Sequence, residues 1–212
     1  MEATSAGLVD AAESRFAAEG FASASLRAVM RDAGTDPGAV HYHFGGREAL
    51  AEAVLDRILE PLNDRRLELL ERLQVDEGPI GVASLVEALV RPDLEMAVTL
   101  EGRGEGRARL LGSIYLHPAA FVVRRVEERF VPVANRFMPH LMAALPKLSP
   151  EVMAWRVRWP VFGVLGAILA DPEEPFAAPI DTVVARVVSV AAAAVAAPAP
   201  NSPLASPVVA RD

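Results

Sequence analysis

Apolar residues recur every three or four positions along almost the whole chain, and hardly any stretch alternates between apolar and polar residues. This spacing gives each segment one apolar stripe when it is coiled as a helix, and it offers no basis for a β-sheet. Residues 7–19 illustrate the pattern, because Leu8, Ala12 and Phe16 fall on one helical face. The spacing therefore predicts an all-α protein with about nine to ten helices.

Glycine, proline and capping residues mark the expected helix ends in the first part of the chain. Gly20 is expected to end the first helix, and Ser25 stands where the N-cap of a second helix belongs. Asp36 is expected to cap a third helix with Pro37 at its first position, where a missing N–H costs nothing. After a glycine pair, a long helix is predicted from about Arg47.

Prolines divide the remainder of the chain into further predicted helices. Pro61 is expected to bend or restart the long helix, Pro79 to begin the next helix and Pro92 to end it. Later helices are predicted over residues 93–101, over about 109–116, from Pro118 with a bend at Pro132, over 150–170 with Ser149 as cap, and over 180–197. Residues 198–212, rich in proline, serine and alanine, are expected to form a disordered tail.

The composition excludes several classes of protein. The chain has no cysteine, which excludes a disulfide framework, a thiol nucleophile and thiolate-bound metals. No signal-peptide pattern is visible, and the apolar stretch 183–197 contains Arg186 and is too short to span a bilayer. We therefore expect a cytoplasmic protein without a membrane partner. The net charge of −7 argues against bulk attraction to nucleic acid but leaves a local contact surface open.

Two short predicted helices, at residues 25–32 and 36–43, are joined by a tight turn that contains Gly34. This spacing is typical of a helix-turn-helix, which places its second helix in the major groove of DNA. Small residues at the start of that helix allow close approach to base edges, and hydrogen-bonding residues at its end can reach phosphates. The candidate DNA-contacting residues are Ser25, Arg27, Pro37, Gly38, Ala39, His41, Tyr42, His43 and Arg47.

Other interpretations of these residues are weaker or equally open. A hydrogen bond from His43 that fixes the turn is as consistent with the sequence as a phosphate contact, and Arg27 could simply be solvated. His41 and His43 lie two positions apart, so they point in different directions from a helix and are not expected to share a metal ion. Residues 102–107 lack the strand and the final glycine of a phosphate-binding loop. We expect no metal, no cofactor and no enzymatic activity.

Residues 11–50, AAESRFAAEGFASASLRAVMRDAGTDPGAVHYHFGGREAL, resemble the three-helix DNA-binding domain of TetR-type transcriptional repressors. The resemblance implies a DNA-binding domain over residues 1–46 and an effector-binding and dimerisation domain over 47–197. His41 stands where this family often has tyrosine, and Arg47 replaces its usual lysine. Residues 1–50 contain four arginines and seven acidic residues, a balance of −3, which predicts modest non-specific affinity for DNA.

The large apolar residues of the second part are expected mostly to form a core. The resemblance implies that some of them line a pocket for a small apolar or aromatic effector. The candidates are Met96, Leu100, Phe121, Phe137, Met138, Met142, Trp155 and Trp159.

The last two predicted helices are rich in small residues, which permit close helix packing. The resemblance implies that these helices form a four-helix dimer interface, and packing within one protomer is the alternative. The candidate interface residues are Gly163, Gly166, Ala167, Val183, Val187 and Val190.

The sequence thus predicts a homodimeric, ligand-responsive transcriptional regulator. It would repress by binding a palindromic operator in double-stranded DNA, and a small-molecule effector would release it. The alternatives are a helical small-molecule-binding protein that has lost DNA binding, and an all-helical enzyme for which we find no catalytic residues.

Overall fold

The computed structural model describes residues 5–74, 78–98, 110–112, 114, 119–158, 160 and 178–198. None of these residues lies in a β-strand, which confirms the all-α prediction. The helices with described bounds are α1 (Ser5–Ser23), α2 (Leu26–Asp32), α3 (Ala39–Phe44), α4 (Arg47–Leu73), α5 (Val82–Val98), α6 (Ala120–Ala144) and α7 (Ile180–Ala196). Residues 110–112 and 150–158 are also helical. No described helix combines the length and the hydropathy needed to cross a bilayer.

The boundaries of α1 and α2 follow the predicted signals. Gly20 interrupts α1 with a left-handed φ of +79°, and one more helical turn follows it, up to Ser23. Ser25 has the extended backbone of an N-cap, with φ −84° and ψ 123°, which confirms its predicted position. The sequence signals therefore locate the first two helices to within a few residues.

The start of α3 corrects the prediction, because Asp36 and Pro37 lie before the helix. The helix begins at Ala39 with Gly38 as its N-cap. The Ala39 amide donates to the Asp36 carbonyl (3.0 Å), which closes a turn in which Pro37 holds the second position. Proline favours that position of a turn because its φ is already fixed near the required value. α3 ends at Gly45, which has a φ of +81°.

Prolines end fewer helices than predicted. α5 continues through Pro92, so the predicted end of a helix at this residue is wrong. α4 likewise continues through Pro61, and α6 contains Pro132 and Pro139. A proline inside a helix removes one N–H donor and crowds a carbonyl of the preceding turn. Such a helix persists only where packing and side-chain donors offset this loss.

Two clusters of buried apolar side chains hold the helices together. The amino-terminal core, as we call the first, joins α1–α3 and the first part of α4 to Leu111 and the start of α6. Phe16 and Val122 are wholly buried in it. The carboxyl-terminal core joins the end of α4 to α5, the end of α6 and α7. The two cores meet within α4, between Leu62 and Leu70.

A buried polar layer lies in α4 and α5 at the level where the two cores meet. We define it as Asn63, Arg66 and Asp93; Arg66 and Asp93 are each 1% exposed. Arg66 Nη2 donates to Asp93 Oδ2 (2.5 Å), and Nη1 donates to Asn63 Oδ1 (2.7 Å). The guanidinium also lies 5.5 Å from the centre of the Phe130 ring in α6. Arg66, which lies in α4, therefore contacts α5 through Asp93 and α6 through Phe130.

The polar layer also serves the proline-containing turns of α5 and α6. Arg66 Nε donates to the Leu89 carbonyl (2.9 Å), three residues before Pro92. Asn63 Nδ2 donates to the Arg129 carbonyl (2.9 Å), in the turn before the first proline of α6. Each donor reaches the carbonyl three residues before a proline, whereas the bond that the proline removes is to the carbonyl four residues before it. The two donors therefore add hydrogen bonds to the turns that the prolines weaken, in helices that continue through Pro92 and Pro132.

The carboxyl end of α7 is fixed by the helical segment 150–158. That segment begins as predicted at Ser149, whose hydroxyl accepts the Val152 amide (3.4 Å). Near its described end, Arg156 is buried and donates to carbonyls at the end of α7, namely those of Val195 (2.9 Å), Ala197 and Pro198 (3.0 Å). These carbonyls lack partners within their own helix, so Arg156 acts as a C-cap.

Candidate nucleic-acid interface

α3 is held to the protein by one face and presents the other face to solvent. Val40 is buried in the amino-terminal core, and Phe44 packs against the edge of that core. Tyr42 is 86% exposed on the opposite face, and the exposed residues His41 and His43 flank it. These three side chains can all hydrogen-bond, as contacts to phosphates or base edges require. The outward face of the second helix is also the face that a helix-turn-helix turns towards DNA.

The other predicted contact residues of α2 and α3 lie beside this face or at the helix starts. Ser25, Arg27, Pro37 and Gly38 are exposed, and Ala39 is half-buried. α2 packs against both α1 and α3, so the two short helices form one unit. All the candidates except Ala39 and Arg47 are therefore exposed on the helix-turn-helix.

The ring of His43 contacts its neighbours in sequence and does not fix the turn. Its centre lies 5.0 Å from the Tyr42 ring, edge to face, and 6.5 Å from the Phe44 ring. It forms no hydrogen bond with another described residue. The Gly45 amide closes the helix instead, by donating to the His41 carbonyl (2.9 Å). No group of three or more potential metal ligands is found among the described residues.

Arg47 differs from the other candidates because its guanidinium is bonded within the protein. It donates to the carbonyls of Phe21 (2.6 Å), Ala22 (3.1 Å) and Ala24. These carbonyls lie at the end of α1 and in its link to α2, where helical partners are missing. A phosphate contact by Arg47 would have to compete with these bonds. We therefore interpret Arg47 as a positioning residue that fixes the helix-turn-helix against α4.

Replacing Arg47 with lysine is expected to lower the free energy of unfolding by about 1–2 kcal/mol. An ammonium group is a point donor and cannot span three carbonyls as the planar guanidinium does. Affinity for DNA should fall as well, with an unchanged salt dependence because the charge is kept. Urea unfolding and DNA titrations at two salt concentrations measure both effects. A fully stable Arg47→Lys variant, together with a reduced salt slope in Arg47→Met, would instead support a direct phosphate contact.

Only part of the positive charge of the helix-turn-helix is available to a partner. Arg15 is engaged by Asp32 (2.6 Å) and Glu19 (2.7 Å), and its hydrogen bond lowers the pKa of the Asp32 carboxyl. Arg27 forms no ion pair with another described residue. Arg31, which the sequence analysis did not select, is largely exposed and only 3.7 Å from Asp32. Arg27 and Arg31 are thus the cations of α2 that can reach phosphates.

Ion pairs tie α4, the helix that follows α3, to α6. Burial opposes ionisation of Asp56, but hydrogen bonds from Arg129 (2.8 Å) and Arg125 (2.8 Å) outweigh it and hold the Asp56 pKa below its usual value. Nearer to α3, Arg124 pairs with Glu48 (3.2 Å). These ion pairs therefore join the start of α6 to the first half of α4, the helix that follows the helix-turn-helix.

The predicted effector-pocket residues that the structure describes are distributed over both cores and the surface of the protomer. Met96 and Phe121 pack at the edge of the amino-terminal core. The carboxyl-terminal core includes Phe137, and Met138 and Met142 pack against it. Trp155 is 58% exposed and so faces solvent in the protomer. Leu100 and Trp159 lie outside the described residues. A small cavity of about 160 Å³ between α4 and α5 is lined by none of these side chains.

The predicted interface residues of α7 divide between its two faces. Val183 is buried and Val187 is half-buried against the carboxyl-terminal core of their own protomer, which is the packing within one protomer considered as the alternative. Val190 is 72% exposed on the outward face, which also carries the exposed residues Ala193 and Ala194. Gly163, Gly166 and Ala167 lie outside the described residues. The outward face is small-sided and apolar from Val190 onwards, as close packing with a second helix requires, whereas the exposed residues Arg186 and Ser189 precede this stretch.

The polar layer was not predicted, although the sequence indicates it by charged residues within two apolar stripes. Arg66 lies in the apolar stripe of α4, four residues after Leu62 and four before Leu70. Asp93 lies in the stripe of α5, four residues after Leu89 and four before Ala97. Opposite charges at apolar positions of two helices indicate a buried ion pair.

Sequence comparison finds two matching families. Residues 8–54 match the family described as bacterial regulatory proteins, tetR family, and residues 87–194 match the tetracyclin repressor-like C-terminal domain. The HTH-type transcriptional regulator UidR of Escherichia coli (strain K12) is 29% identical over 124 residues, 57% of this chain and 63% of that relative. SrpR of Pseudomonas putida is 26% identical over 145 residues, 68% of this chain and 60% of SrpR. The chain thus spans less than two thirds of the length of these curated relatives.

Solved structures share the fold at low sequence identity. SmeT, the repressor of the Stenotrophomonas maltophilia multidrug efflux pump SmeDEF, superposes with a TM-score of 0.65 at 20% identity, over 91% of this chain and 90% of SmeT. A SmeT–triclosan complex gives a TM-score of 0.64, also at 20% identity, over 97% of this chain and 100% of that chain. The Bacillus subtilis regulator FadR in complex with stearoyl-CoA gives 0.61 at 9% identity, over 90% of this chain and 99% of FadR.

Proposed function

Because the chain belongs to the TetR family of bacterial regulatory proteins, we propose that it is a DNA-binding transcriptional regulator that represses as a homodimer and responds to a small molecule. This family consists of DNA-binding regulators and not of enzymes. The observation that carries the proposal is the geometry of α3, where Val40 is buried and Tyr42 is exposed on the opposite face. In this proposal residues 1–46 bind DNA in the cytoplasm, and residues 47–197 bind the effector and dimerise.

DNA recognition would divide the exposed side chains by task. Tyr42 and His43 stand on the outward face of α3 and would reach base edges or phosphates. Gly38 and Ala39, at the start of the helix, would let the backbone approach a base edge. Arg27 and Arg31 lie one turn apart on α2 and would contact phosphates of the DNA backbone. The small number of such cations supports recognition by shaped contacts more than by bulk charge.

Dimerisation would pair two such units on a palindromic site. A two-fold dimer presents its recognition helices to successive major grooves when they lie about 34–36 Å apart. The exposed apolar side chains Val190 and Trp155 support an interface formed by α7 and the helix that starts at residue 150.

A small-molecule effector is supported by the complexes of two proteins with this fold, SmeT with triclosan and FadR with stearoyl-CoA. An effector releases DNA only by binding the non-binding conformation more tightly. Here the ion pairs of Asp56 with Arg125 and Arg129 couple α6 to α4, which leads directly into the helix-turn-helix. We propose α4 as the element that changes the separation of the two recognition helices.

Selection of bound sequences from a random DNA pool tests the function itself. We expect an enriched palindrome at both a low and a moderate salt concentration. If the protein is folded and dimeric and no sequence is enriched, the helix-turn-helix has lost DNA binding, and the function lies in small-molecule binding alone.

Two substitutions separate the proposed contact classes once an operator is selected. Arg27→Ala should weaken binding to every DNA sequence and reduce the salt slope by about 1 for each half-site. Tyr42→Ala should lower operator affinity by about tenfold or more while it leaves non-specific binding nearly unchanged. Arg136→Ala, which removes an exposed charge from the far half of α6, is the matched control and should change neither quantity. Equal losses in all three variants would contradict the assignment.

A further inference from the structure

The Asp93 carboxylate has one oxygen that no described residue satisfies. Oδ2 accepts Arg66 Nη2 at 2.5 Å, but Oδ1 is buried and has no hydrogen-bond partner among the described residues. The other two hydrogen bonds of Arg66 given above go to the Leu89 carbonyl and to Asn63 Oδ1, not to this oxygen. A buried acceptor without a donor is costly, and native proteins rarely leave one without a use.

The position of this oxygen is suited to a small ligand. Asp93 belongs to the polar layer, at the level where the amino-terminal and carboxyl-terminal cores meet. Leu89 and Met96 lie one turn before and one turn after Asp93 on α5, and the Phe130 ring lies over the guanidinium of Arg66 in the same layer. Small-molecule sites in proteins combine such apolar walls with a few convergent polar groups.

We propose that Asp93 Oδ1 is the polar anchor of the effector site, and that the effector is an uncharged, mainly apolar molecule that donates one hydrogen bond through a hydroxyl or N–H group. This inference deepens the proposed function and rests on it, because it assumes that the protein binds a small-molecule effector. It assigns both a residue and a chemical class to the effector site.

The charge balance of the polar layer favours a neutral donor over a cation. Arg66 already compensates the negative charge of Asp93 within hydrogen-bond distance. A cationic ligand would leave a net positive charge in a buried environment, where an uncompensated charge is strongly unfavourable. A hydroxyl or N–H group satisfies Oδ1 without adding charge. An acidic ligand is also disfavoured, because its ionised carboxylate has only acceptor oxygens and cannot donate to Oδ1.

Three probes with the same skeleton test this inference on the full-length protein. Benzyl alcohol donates a hydrogen bond, benzyl methyl ether does not, and benzylammonium donates but carries a charge. Ligand-observed NMR titrations should show benzyl alcohol binding at millimolar concentration, and the other two probes about tenfold or more weaker. No binding of benzyl alcohol, equal binding of the ether, or tighter binding of benzylammonium would each overturn the proposal.

Two variants link the preference to Asp93. In Asp93→Asn the amide can donate to an ether, so the preference for the alcohol over the ether should disappear. In Arg66→Met with Asp93→Leu, which removes both charges of the pair, the alcohol and the ether should bind equally. Asp56→Asn, a carboxylate change in the ion pairs between α4 and α6, should keep the full preference. A preference that persists in both Asp93 variants contradicts the assignment. The DNA selection tests the proposed regulator independently, so the two failures are distinguishable.

Discussion

Arg66→Met is expected to lower the free energy of unfolding by about 3–5 kcal/mol, because it leaves the Asp93 carboxylate buried without its counter-ion. The same change removes the donors to the Leu89 carbonyl and to Asn63, so α5 loses a hydrogen bond in the turn before Pro92. Burial already raises the pKa of Asp93, and loss of Arg66 removes the ion pair and hydrogen bond that oppose this rise, so the pKa should rise further. Urea unfolding at a fixed protein concentration measures the loss.

The neighbouring arginine provides the control. Arg65 is partly exposed and pairs with Glu68 at 3.1 Å, so Arg65→Met should cost about 1 kcal/mol or less. Combining Arg66→Met with Asp93→Leu should recover most of the lost stability, because no uncompensated charge then remains. Equal destabilisation by the changes at residues 65 and 66 would refute the special role assigned to the polar layer.

Val190→Glu is expected to dissociate the proposed dimer and to lower operator affinity by about 100-fold or more, because each protomer then binds its half-site alone. Val190 lies on the outward face of α7 and is 72% exposed in the protomer, so the fold should tolerate the change. A carboxylate placed there would be buried without a partner in a dimer, which disfavours association. Sedimentation equilibrium gives the oligomeric state, and titration of the selected operator gives the affinity.

Val131→Glu is the matched control for this variant. Val131 is also an exposed valine, but it lies on α6, which is not one of the two helices proposed to form the interface. It should leave the dimer and operator binding unchanged. If Val190→Glu remains dimeric, the interface does not include the outward face of α7.

The helix boundaries were predictable wherever one residue determines the local backbone conformation. Gly20 adopts the left-handed conformation that its position required, and Ser25 adopts the extended backbone of an N-cap. Pro92 shows the limit of such signals. α5 continues through it, and the turn before it receives a hydrogen bond from a residue of α4 that lies 23 positions away from the Leu89 carbonyl. Local sequence cannot reveal such a partner.

The sequence motif predicts which residues lie at the candidate DNA interface, but it does not predict what each of them does there. Tyr42 and Arg47 were selected by the same motif, yet one is exposed and the other is bonded to three backbone carbonyls. Arg65 and Arg66 are adjacent and chemically identical, and only their position relative to the apolar stripe distinguishes them. The burial of a side chain in the protomer was also not predictable from residue type, because the large side chain of Trp155 is exposed and the candidate interface residue Val183 is buried.

The continuous amino-terminal core limits how freely this chain can exchange parts with its relatives. Phe21 of α1 stacks on Phe16 and meets the ring of Phe121 at the start of α6, 6.3 Å away. Consider a chimera in which residues 1–46 come from a relative and the rest from this chain. Its α1 would then pack against an α4 and an α6 with which it did not evolve. The exposed residues of α3 can change one by one. Exchange of the whole segment 1–46, in contrast, requires matching changes in α4 and α6. We therefore expect operator specificity to change by substitutions within residues 1–46 more readily than by recombination of this segment between relatives.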